Sequence, residues 1–96
     1  MSRFPQVRRD IALLVDDSVS YQSIVDVIHA EAPKILRDIQ IFDIYQGDKL
    51  PEGKKSMALG LILQEFSRTL EDTEVETVVA KIVAALEVAH GAVLRV

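Results

Sequence analysis

Five side chains within IFDIYQGDKLPEGKKS, Ile41 to Ser56, have the chemistry to hold one flat, polar ligand. Asp43 offers a carboxylate acceptor, Tyr45 an aromatic ring with a phenol, Ser56 a hydroxyl, and Lys54 and Lys55 positive charge. Asp43 and Tyr45 are two residues apart, so on a strand they share a side, while Phe42 and Ile44 point the other way. Gly47, Pro51 and Gly53 mark a turn-forming segment of about ten residues that returns Ser56 on a second strand, as in a hairpin.

Other chemistries have little support. The chain lacks Cys, which excludes disulfides and thiolate metal sites. His29 and His90 stand apart, with no carboxylate or thiol partners at ligand spacing, so no metal site and no catalytic residue is expected. The net charge of −4 argues against a general nucleic-acid binder, which usually presents a basic surface. It is compatible with a domain that reads one exposed feature while a larger assembly supplies most of the affinity. The N-terminus MSRFPQVRRD has no signal-peptide apolar run, and no stretch approaches the ~20 apolar residues of a membrane span. A soluble, cytoplasmic protein without membrane contact is expected.

The elements that must position these groups can be read in order. Arg9 to Val15 is a strand whose Ile11, Leu13 and Val15 share the core side. Ser18 or Ser20 can cap a helix in which Tyr21, Ile24, Val25, Ile28 and Ala32 form one apolar stripe. Pro33 disfavours helical geometry at Ala32 and ends it. Ile39 to Tyr45 is the second strand. Ser56 to Gln64 is the third, with large Met57, Leu59, Leu61 and Leu63 on one side and small or polar Ser56, Ala58, Gly60 and Gln64 on the other, Ile62 being the exception. Gly60 weakens a strand unless something approaches it closely. Acidic Glu71, Asp72, Glu74 and Glu76 suit the positive start of a second helix. Val75, Val78, Val79, Ile82, Val83 and Leu86 form its stripe, Gly91 its left-handed cap, and Ala92 to Val96 a last strand.

The order βαββαβ predicts an α+β, ferredoxin-like split βαβ fold: a four-stranded antiparallel sheet with both helices on one face. All 96 residues form a single domain of modest core. The expected core joins the helix stripes to Ile11, Leu13, Phe42, Ile44, Leu59, Leu61 and Leu63. The opposite face carries no helix. Its expected members are Arg8, Asp10, Ala12 and Leu14, then Ile41, Asp43 and Tyr45, then Ser56, Ala58, Gly60 and Ile62.

That face admits several function classes. RNA-recognition motifs share the topology and stack bases on strand aromatics, but the third strand here has no aromatic residue. Acylphosphatases also share it. They need an Asn to orient water, and this chain has none. Amino-acid-sensing regulatory domains of this shape pair through edge strands and present a Gly-rich loop after the first strand, where this chain has Asp16-Asp17-Ser18. A regulatory or dimerising module without RNA binding remains the alternative.

RFPQVRRDIALLV, IFDIYQGDKLPEGKKSMAL and SRTLEDTEVETVVAKIVAAL, in this order and spacing, closely resemble the ferredoxin-fold anticodon-binding domain at the C-terminus of bacterial phenylalanine–tRNA ligase β subunits. The likeness runs from Arg3 to about Arg95. It implies a non-catalytic domain, excised from a larger subunit, that holds the anticodon of phenylalanine tRNA, chiefly its first base, a guanine. Asp43 and Tyr45 of FDIY, and Ser56 and Ala58 of the EGKKSMA run, match the family's guanine contacts. Arg9, Lys54 and Lys55 are expected at phosphates. No cofactor is implied in the domain itself. ATP and magnesium belong to the parent enzyme, whose α subunit carries out aminoacylation and is, with the remaining β-subunit domains, an expected partner.

Overall fold

A computed structural model describes residues 5–32, 34–47, 49–65 and 67–95. Pro33 and Val96, expected to end the first helix and the last strand, lie outside the described residues. Six elements follow in order: β1 (Val7–Asp16), α1 (Tyr21–Glu31), β2 (Leu36–Tyr45), β3 (Lys54–Leu63), α2 (Asp72–His90) and β4 (Val93–Arg95). The strands form one sheet in the order β2-β3-β1-β4, every neighbouring pair antiparallel. The expected βαββαβ arrangement is therefore present, with β1, β2 and β3 each beginning two or three residues earlier than the apolar patterns suggest.

Local chemistry sets the helix boundaries. Ser20, in extended geometry, caps α1 by accepting from the backbone N–H of Ser23 at 3.1 Å. At the other end the Ala32 N–H still reaches the Ile28 carbonyl, while Ala32 itself turns extended at ψ 138°. α2 is anchored by Glu74, whose carboxylate accepts a fork of two 2.5 Å bonds from Arg68 and a 3.1 Å bond from the Glu71 N–H. The Arg68 bonds, then the Glu71 amide, pull the Glu74 carboxyl down to about 2. Gly91 at φ 63° closes the helix, and its N–H returns to the Glu87 carbonyl.

The core lies between the helices and one face of the sheet. Ile24 and Ile28 of α1 and Val75, Ile82 and Leu86 of α2 join Ile11, Leu13, Val15, Met57, Leu59, Leu61 and Leu63 in a single cluster. Met57, Leu59, Leu61 and Leu63 of β3 are all fully buried. Since apolar burial contributes about 1.5–3 kcal/mol per large side chain, this central strand is the main anchor of the domain.

β2 departs from the expected alternation. Its register against β3 slips twice, between Leu36 and Asp38 and between Ile41 and Asp43. Each slip is a bulge that inserts one residue, Arg37 and Phe42. Ile41 pairs with Leu59 and packs on the core, not on the open face as expected. Phe42 is exposed and lies under the Arg8 guanidinium, 5.4 Å from the ring centre, on the face without helices. Ile44 pairs with Met57 on the helix side as expected, but it is 51% exposed because β2 is an edge strand. Phe42 and Ile44 are therefore not core residues.

Candidate functional site

Directly paired residues of neighbouring strands project to the same side, so the register builds the open face row by row. One row crosses all four strands as Asp43, Ala58, Ala12 and Arg95. The next row, toward the hairpin, is Tyr45, Ser56, Leu14 and Val93. Behind the first row lie Gln40, Gly60 and Asp10. The acid, the aromatic ring and the hydroxyl thus converge in adjacent rows, with Ala58 between them. Two alanines form a low floor between Asp43 on one edge strand and Arg95 on the other.

The floor is covered by the domain's own arginines. Arg8 lies across Gly60, where an added Cβ would meet its guanidinium at 3.1 Å, and donates to Asp10 at 2.7 Å. This is the close approach that a glycine in the middle of β3 requires. Arg95 reaches from β4 across β1 and donates to the Ser56 hydroxyl at 2.9 Å. Ser56 and Gly60 are consequently buried although no helix lies over them. Tyr45 stays 39% exposed. Its phenol rests against Gly47, where a Cβ would fall 2.6 Å from the oxygen, so the glycine of FDIYQG makes room for the ring.

The hairpin loop is tied to the end of β1. The Asp17 N–H donates to the Gly53 carbonyl at 2.9 Å, and the Gln46 amide donates to the Asp17 carboxylate. Lys54 shares the open face with Ser56, two residues away, and pairs with Asp16 at 2.6 Å. Lys55 pairs with Val15 in the register and so falls on the helix side. Arg9 pairs with Leu61, also on the helix side, and lines an apolar cleft of about 490 Å³ with Val79, Val83 and Leu94. Its guanidinium lies 3.8 Å from Asp72. The fold therefore brings Asp43, Tyr45, Ser56, Ala58 and Lys54 to one face and leaves Arg9 and Lys55 on the other.

Three open-face groups were absent from the sequence reading of the site: Arg8 as part of an aromatic pair, Phe42 and Arg95. Phe42 had a legible signal. The helix-facing apolar residues run Leu36, Ile39, Ile41, Ile44, changing parity twice, and each change requires one inserted residue. Arg95 had none, because a three-residue strand shows too little alternation to orient itself.

Chemically, the face offers an acceptor, a stacking ring, a hydroxyl and two guanidiniums around a shallow floor. Among the described residues there is no cluster of groups able to hold a metal. No helix there is long and apolar enough to cross a membrane.

Comparison with known proteins agrees with the fold. The family model of the ferredoxin-fold anticodon binding domain matches residues 2–95. The phenylalanine–tRNA ligase beta subunit of Psychrobacter arcticus is 48% identical over 94 residues, which are 98% of this chain and 12% of that protein. Those of Xanthomonas axonopodis pv. citri and Clostridium tetani are 47% and 48% identical over 95 residues, 99% of this chain and again 12% of theirs. The chain thus spans about an eighth of the length of these relatives. It belongs to the ferredoxin-fold anticodon-binding domain family.

Proposed function

We propose that this anticodon-binding domain seats the first anticodon base of phenylalanine tRNA, a guanine, on its open sheet face and takes no chemical part in aminoacylation. The observation that carries this reading is the convergence of Asp43, Tyr45, Ser56 and Ala58 on the one sheet face that no helix covers. The Asp43 carboxylate accepts from guanine N1–H and N2–H₂. The Tyr45 ring stacks on the base, at about 1–3 kcal/mol per base for such contacts. The Ser56 hydroxyl adds a hydrogen bond, and Ala58 leaves room for the base plane. Lys54, beside the seat, is placed to meet a phosphate. Arg9 and Lys55, on the helix side, reach phosphates only if the RNA wraps around the sheet edge.

The same reading makes the domain one part of a phenylalanine–tRNA ligase, partnered by the remaining β-subunit domains and the α subunit. ATP and magnesium act elsewhere in that assembly. Binding by the domain alone is weak, because it carries net negative charge and meets few phosphates.

An NMR titration with a phenylalanine-tRNA anticodon stem-loop tests the proposal. Shifts should centre on Asp43, Tyr45, Ser56 and Ala58, and shrink when the first anticodon base is changed from guanine. Tyr45→Ala or Asp43→Ala in the whole ligase should raise the KM for tRNA far more than that for phenylalanine or ATP. Shifts confined to α1 and α2, or equal effects on all three substrates, would reject the seat.

A further inference from the structure

We infer that Arg95 is a base-reading residue: it closes the guanine seat opposite Asp43 and donates to the base's O6 and N7. The inference rests on the reading of the open face given above.

Three observations lead to it. First, Asp43 and Arg95 terminate the same cross-strand row, with only Ala58 and Ala12 between them. Three strand spacings separate them, about 14 Å, a gap that an extended arginine narrows to the width of a purine. Second, the side chain already extends inward. Arg95 is an exposed residue at a sheet edge, yet its Nη1 reaches Ser56 on β3, two strands away, 2.9 Å from the hydroxyl. Third, it has spare donors. A guanidinium carries five N–H groups, and among the described residues the Arg95 side chain makes one hydrogen bond, to Ser56.

The charges are laid out as guanine requires. A carboxylate at one end complements the donors N1–H and N2–H₂. A fork of N–H donors at the other complements the acceptors O6 and N7, the edge that arginine reads bidentately. Adenine presents an amino group in place of O6 and would meet a donor with a donor. The Ser56 contact adds a further constraint. The Ser56 oxygen accepts from Arg95, so its own proton is directed away, and the hydroxyl is held as a donor toward the seat. In the absence of RNA the same bond keeps Ser56 covered.

Arg8 does not fill this role. It is committed to Asp10 and to the Phe42 ring, and lies over Gly60, outside the row that holds Asp43.

The test compares this chain with Arg95→Ala, Arg95→Lys and Arg95→Gln. Each is titrated with anticodon stem-loops carrying guanosine, 7-deazaguanosine or 6-thioguanosine at the first anticodon position. Arg95→Ala should bind the guanosine loop roughly tenfold more weakly, the lower range for a bidentate arginine–guanine pair. The preference of the parent chain for guanosine over the two analogues, which lack N7 or carry a weakly accepting sulfur in place of O6 but keep N1–H and N2–H₂ for Asp43, should collapse in Arg95→Ala and Arg95→Gln. The Arg95 Nε–H resonance should shift in the parent chain with guanosine and less with 7-deazaguanosine. Equal losses with every loop would reduce Arg95 to a phosphate contact and overturn the inference. So would unchanged binding by Arg95→Ala when Tyr45→Ala and Asp43→Ala still weaken it. If none of these variants affects binding, the proposed seat fails as well. Thermal melting of each variant separates a folding defect from lost recognition.

Discussion

β3 buries residues on both of its faces, by different means. On one, Met57, Leu59, Leu61 and Leu63 are sealed by helices and neighbouring apolar side chains. On the other, Ser56 and Gly60 are hidden beneath guanidinium groups that belong to exposed residues on other strands. The first cover is permanent, since removing it exposes the core. The second is a layer of long side chains that can be displaced by rotamer changes. Burial on the open face is therefore no sign of an inert surface. It describes a surface that is provisionally closed.

Substitutions put that contrast to the test. The largest effect is expected on the helix side: Leu61→Ala should destabilise the domain by about 2–5 kcal/mol in urea unfolding, because the cavity cannot collapse at the centre of the sheet. A cost near zero would mean that the two covers are alike. Next comes Gly47→Ala. The new methyl would collide with the Tyr45 hydroxyl, so stem-loop affinity should fall several-fold, within the roughly 1–3 kcal/mol of a base stack, while stability stays nearly constant. Gly60→Ala should change stability by less than about 1 kcal/mol, since the added methyl gains strand propensity but pushes on a movable arginine. A large loss would show the Arg8 cover to be rigid.

Acid should discriminate least between the faces. Glu74 is held at about 2 against the usual 4.5, so its carboxylate favours the folded state fully above pH 4.5. That contribution disappears as the pH falls toward 2. Arg68→Met should flatten this part of the urea-midpoint profile and leave stem-loop binding at neutral pH unchanged.

Most of the fold was legible. Element order, the apolar stripes of both helices, the serine cap and the Gly91 cap rest on short-range chemistry written in adjacent residues. β3 was read correctly on both faces because its large and small residues alternate, with Ile62 the one exception. β2 was read wrongly at Ile41 and Phe42, because strict alternation was assumed where the apolar parity changes. The grouping of Asp43, Tyr45, Ser56 and Ala58 followed from local spacing plus one hairpin. Arg95 depended on a long-range pairing between the two ends of the chain, which no local pattern encodes.

The bulge at Phe42 has one more consequence. Every paired partner of β2 downstream of it, Asp43 with Ala58, Ile44 with Met57 and Tyr45 with Ser56, would keep its place if that residue were deleted. Phe42 is thus supernumerary to the weave of the sheet. Its ring is an ornament that selection can add, swap or withdraw without re-threading the strand, while the acid and the tyrosine stay where they are.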